Sequence, residues 1–263
     1  MKLLLALSLA ILITACNSNS DEMTKVIFLH HSTGEAIWKG ATNRYIYKLT
    51  GKGDAQKHFS AYNRKNKTSY EITAVNFPKS APYGWNNYPY DYYKIWVKNA
   101  GSVPFMEEPT LEMLTPEYEV IVFKHCFPVS RIVADSGAPD IDSHIKSLEN
   151  YKLQYCALKE KMHQFPDNKF IVWTPAANTR LKSKEDEAIR TREFYNWMIS
   201  EWDEKGDNIF IWDFYNYETE GSLYLADSNA HSPDNSHPSV EFSARLAPLF
   251  GQFIIDVIET KVD

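Results

Sequence analysis

Five short apolar runs recur along the chain, at 26–29 (VIFL), 71–75 (EITAV), 119–123 (EVIVF), 169–173 (KFIVW) and 208–212 (NIFIW). Continuous runs of this kind, rather than alternating ones, suit parallel strands buried on both faces. Between them the apolar positions move to helical spacing. Ile145, Leu148, Tyr155, Leu158 and Met162 keep to one stripe over 142–163. Phe194, Trp197, Met198 and Trp202 do so over 183–204, behind a capping position at Ser183. A last helix is expected over 239–260, carrying Leu246, Leu249, Phe253, Ile254, Val257 and Ile258. Strands alternating with helices predict an α/β fold, a three-layer α/β/α sandwich around a five-stranded, mostly parallel sheet. Two stretches interrupt the alternation. Residues 50–69 are basic and polar and read as a surface loop, and 77–118 is broken by prolines at 78, 82, 89, 104, 109 and 116.

The first sixteen residues, MKLLLALSLAILITAC, have a single lysine and then an apolar run from Leu3 to Ile13. The run is too short to span a bilayer and has the shape of a secretory signal. It ends in Ile13-Thr14-Ala15-Cys16, which resembles a bacterial lipobox, so Cys16 is the expected lipidation site. The chain then divides into a signal at 1–16, a polar tether at 17–24 and one domain at 25–263. The expected location is the bacterial cell envelope, lipid-anchored in the periplasm or at the cell surface. A net charge of −6 argues against nucleic acid as a partner. Cys126 and Cys156 lie in no metal-ligand spacing, and whether they pair in a disulfide is open.

Ligands of open parallel sheets bind beyond the carboxyl ends of the strands. Ser32, in FLHHSTG, follows the first run and so falls at that edge. A serine nucleophile needs a base within hydrogen-bond reach and a group to orient that base. Near the other end of the chain, SPDNSHPSVEF sets Asp234 three residues before His237, with Pro238 behind it, expected to begin the last helix. A second pair, Asp227 and His231, has no such brace.

In these two motifs the chain resembles the SGNH (GDSL-like) hydrolases, whose serine follows the first strand and whose D-x-x-H-P motif precedes the last helix. The resemblance implies a flavodoxin-like sheet and a Ser32–His237–Asp234 triad. It also implies an oxyanion hole from the backbone of Ser32 and of Ala81, in VNFPKSA. His125 or Lys124, in FKHCFPVS, would stand in for the family's asparagine, or the hole has only two donors. His30 and His31 point to opposite sides of an extended segment, and no second ligand cluster follows, so neither metal nor cofactor is expected. The aromatic stretch PYGWNNYPYDYYKIW offers Trp85, Tyr88 and Tyr90 as a substrate-binding surface, with packing inside the domain as the other reading. The expected activity is an exported serine esterase acting on acyl esters, on a small molecule or a glycan. O-acetyl transfer by the same triad and an inactive glycan-binding member of the fold are the alternatives.

Overall fold

Each of the five runs is a strand in the computed structural model, which describes residues 23–262. The signal, Cys16 and most of the tether lie outside the described residues. The chain opens with β1 (Thr24–His30), α1 (Ser32–Lys39), α2 (Arg44–Thr50), α3 (Asp54–Asn66) and β2 (Tyr70–Asn76). It continues through α4 (Pro89–Tyr92), a π-helical stretch Tyr93–Lys98, α5 (Leu111–Leu114) and β3 (Val120–Phe123). Then come α6 (Leu148–Met162), β4 (Lys169–Trp173), α7 (Glu185–Trp197), β5 (Ile209–Trp212) and α8 (Phe214–Thr219). A two-stranded ribbon, β6 (Ala230–Ser232) and β7 (Asn235–Pro238), leads into α9 (Val240–Ile258).

The main sheet has the order β2-β1-β3-β4-β5, and every pairing is parallel. Side chains alternate across it. Ile27, Leu29, Ile121 and Phe123 face a core shared with α4, α6 and α7. Val26, Phe28, Val120 and Val122 face a second core shared with α1, α3 and α9. Helices therefore cover both faces, and the fold is the expected three-layer α/β/α sandwich.

The strand order reverses between β1 and β3. At such a switch point the loops diverge and leave a crevice at the carboxyl ends.

Two expectations change, and one stretch gains an element. Residues 54–66 form a helix, not a loop. Ala55 and Phe59 bury its inner side, and it packs on α9 where Gly251 admits it: a Cβ there would lie 3.0 Å from His58. The aromatic stretch is helical from Pro89 to Lys98. Pro238 ends β7 instead of starting α9, whose cap is Ser239, its hydroxyl accepting the Phe242 N–H at 3.1 Å. Cys126 and Cys156 are both free thiols, the first buried, the second exposed on α6.

Candidate active site

Ser32 is the first residue of α1, directly beyond β1, and its side chain is exposed. The helix starts there because His31 turns out of the strand and its carbonyl accepts the N–H groups of Gly34 and Glu35, at 2.7 and 3.2 Å. Gly34 is required by close approach: a Cβ would meet His30 Cβ at 2.6 Å and Lys124 Cδ at 2.9 Å. The N–H groups of Ser32 and Thr33 have no acceptor within the helix, so they and the helix dipole favour negative charge beside Ser32. His31 Nε2 donates to the carbonyl of Pro78, tying the loop after β2 to this corner.

Beneath Ser32 lies a buried polar group from the loop after β3. Cys126 Sγ is 3.7 Å from Ser32 Oγ, and Lys124 Nζ donates to the same sulfur at 3.3 Å. Lys124 is 1% exposed, with its ammonium 5.9 Å from the centre of the Trp173 ring. Glu218, also buried, accepts the Ala177 N–H at 2.6 Å, and burial pushes its carboxyl well above the usual range. Asn87 fixes the Cys126 backbone. Its Oδ1 accepts the Cys126 N–H at 2.7 Å, while its Nδ2 donates to the Phe77 carbonyl at 2.9 Å and to Tyr92 Oη at 3.1 Å.

His237 comes to the same cleft from β7. Asn235 Oδ1 accepts both the His237 backbone N–H, at 3.1 Å, and the Nδ1 side of the ring, at 2.7 Å. The backbone donor makes that amide atom an oxygen, so Nδ1 carries the proton and Nε2 is left as the basic nitrogen. Phe127 meets the ring edge-on at 5.0 Å. Burial, then the charges of Lys124 and His231, hold the imidazole below its ordinary value, which keeps it neutral and able to accept a proton. Ser32 and His237 line one open cleft of about 690 Å³, walled by α1 and α2.

Other expected members of the site stand elsewhere. Asp234 is exposed, and its carboxylate accepts from Ser232 Oγ at 2.5 Å; the residue oriented onto His237 is the adjacent Asn235. A tight β6–β7 turn points the Asp234 side chain outward. His125 is not an oxyanion donor. Period-two alternation runs past the end of β3, so Phe123 and His125 face the aromatic core while Lys124 and Cys126 fall under α1. Both ring nitrogens of His125 are buried without a partner, and burial, with Lys124, pushes it down to about 3. Ala81 lies on an exposed turn and does not line the cleft.

Trp85 and Tyr88 are core residues, at 7% and 4% exposure, and Tyr90 packs against the same core. Their faces cover protein, not a ligand. Asp227 and His231 form no pair, and His231 is exposed on β6. Among the described residues no cluster of three or more His, Cys, Asp or Glu is placed to hold a metal, and no helix is long and apolar enough to cross a membrane.

No protein-family model matches the chain, and no curated protein matches it either. Among solved structures the chain is similar to a carbohydrate esterase whose active site is described as displaying divergent catalytic and non-catalytic binding functions. The identity is 12% and the TM-score 0.38, over 88% of this chain and 68% of that one.

Proposed function

We propose that the protein is a serine esterase of the SGNH type that hydrolyses acyl esters, exported and anchored through Cys16. The observation that carries the reading is the placement of Ser32 and His237 in one cleft, with the imidazole tautomer set by Asn235. His237 Nε2 takes the Ser32 hydroxyl proton as Oγ attacks the ester carbonyl. The oxyanion faces the Ser32 N–H and the N-terminus of α1. His237 then returns the proton to the leaving alkoxide, and water cleaves the acyl-serine by the reverse sequence of proton transfers.

Asn235 is a neutral orienter. It fixes the ring but stabilises imidazolium less than a carboxylate does, so the chemistry is expected to be slower than with an aspartate. The resting imidazolium is further disfavoured by Lys124.

Turnover of p-nitrophenyl acetate by the purified protein, lost in Ser32→Ala, tests the reading. Equal turnover by wild type and Ser32→Ala would overturn it. Anchoring is tested separately by labelled palmitate, whose continued incorporation into Cys16→Ser would remove the lipoprotein assignment.

A further inference from the structure

The cleft wall is unusual for this chain. The protein as a whole carries a net charge of −6, yet the cleft is lined by Lys39, Arg44 and Lys48 against the single carboxylate of Glu35. Among the described residues none of these three cations has an ion-pair partner. Arg44 and Lys48 stand one helical turn apart on α2, where like charges repel and destabilise an isolated helix. Only Tyr47 of α2 packs against the core, and Arg44 and Lys48 are exposed, so packing does not require the two charges there. Tyr47 stands between the charges, half-buried, its phenol pushed up to about 12 by burial and then by Glu35, so it remains a neutral aromatic wall. Cations gathered on one side of a cleft focus its potential and concentrate anions there.

We infer that the substrate is an ester-bearing acidic polysaccharide, whose anionic groups are held by Lys39, Arg44 and Lys48 while the ester lies between Ser32 and His237. Ser32 is exposed in an open cleft, so an ester on an extended molecule can reach it without being enclosed. Its flat tyrosine face and flanking cations match a sugar ring bearing a carboxylate or a sulfate. The inference rests on the esterase reading for the ester and on the cationic wall for the charge, and the two can fail separately.

Binding without turnover tests the charge. Polygalacturonate carries the carboxylate, dextran sulfate the sulfate and plain dextran neither. The intact chain is expected to bind at least one polyanion and to bind dextran at least about tenfold more weakly. Raising NaCl from about 50 to about 200 mM should weaken polyanion binding several-fold, because exposed charges are screened. The better-bound polyanion identifies the anionic group. Lys39→Ala/Arg44→Ala/Lys48→Ala should lose polyanion binding by about tenfold or more, while Lys39→Arg/Arg44→Lys/Lys48→Arg should keep it within about threefold.

Equal affinity for dextran and the polyanions would overturn the inference, as would a triple alanine variant that is folded by circular dichroism and binds like wild type. No binding to either polyanion would overturn it too. A protein that turns over p-nitrophenyl acetate but ignores both polyanions refutes only this inference. One that binds them and hydrolyses no ester refutes only the esterase reading.

Discussion

The aromatic stretch 85–96 and the helix α2 at 44–50 look, by composition, as if their roles should be exchanged. The first is rich in tyrosine and tryptophan mixed with Asn and Asp, as a glycan surface is, yet Trp85, Tyr88, Tyr92 and Trp96 are buried in the core. The second is short and unremarkable, yet it exposes Tyr45 at 80% and Leu49 at 87% and helps to wall the cleft. Aromatic density reports the apolar area available, and topology decides whether a strand or a ligand covers it. The segment after β2 crosses the face of β3 and is needed there to cover Phe123. Helix α2 follows α1 and touches the second core only through the half-buried Tyr47.

The two regions should therefore separate function from stability. The largest effects belong to the cleft. Ser32→Ala and His237→Ala should each lower kcat on p-nitrophenyl acetate by about 10³-fold or more, and the double variant should lose little beyond either. The melting temperature of Ser32→Ala should stay within a few degrees of wild type, since Ser32 is exposed. A large loss of stability in Ser32→Ala would make the cleft part of the packing and break the contrast.

On the aromatic side the expectation reverses. Trp96→Ala should destabilise by about 3–5 kcal/mol in urea unfolding. The indole packs on Phe77, Tyr92 and Phe123 and donates to the Pro109 carbonyl at 3.1 Å. Activity per folded molecule should persist. A stable but inactive variant would return the stretch to the substrate.

The orienting role divides neighbouring residues. Asn235→Ala should cost about 10²-fold in kcat by freeing the ring, whereas Asp234→Asn should stay within about threefold. The reverse ranking would restore Asp234 to the triad.

Protonation offers a finer measure. The acid limb of kcat/KM should lie below 6.5, because the His237 imidazole is held below that value by burial and then by Lys124. Lys124→Met removes the second cause and should move the limb toward higher pH; a limb that stays put would separate the lysine from the base. For stability, His30 and His125 are both pushed from 6.5 down to about 3, chiefly by burial. An unfolded chain takes up protons on them before the folded one does, so their contribution is full above 6.5 and is lost as pH falls toward 3. His125→Phe should flatten that loss, as read from melting temperature across the range.

The smallest effect is expected at α2 itself. Tyr45→Ser and Leu49→Ser should each change stability by no more than about 0.5 kcal/mol.

Much of the architecture was legible because buried parallel strands write themselves as continuous apolar runs. Each expected strand lies within two residues of the observed one at either end, as with 26–29 against Thr24–His30. Position 145 shows the limit: Ile145 fits the helical stripe but precedes α6 and is exposed. Helix α3 was missed because Phe59 is almost its only large buried residue, which leaves too little periodicity to see. At the site, Ser32 and His237 could be named from their place beside a strand end and a helix start. Asn235 could not, since which member of a tight turn faces the ring depends on backbone angles. The alternation past β3 was legible in principle: counting by twos from Phe123 sends His125 to one core and Lys124 and Cys126 to the other.

Asn87 bears on the order in which the protein assembles. One carboxamide joins the residue after β2, Phe77, to α4 at Tyr92 and the loop after β3 at Cys126. These contacts link residues up to 39 positions apart, and none of the three segments can form the bonds alone. The corner beneath Ser32 must then close after β1, β2 and β3 have docked, since distant pairings wait on loop closure. On refolding from denaturant, ellipticity should recover before turnover of p-nitrophenyl acetate does. Catalytic competence would thus serve as a clock for the last step of folding.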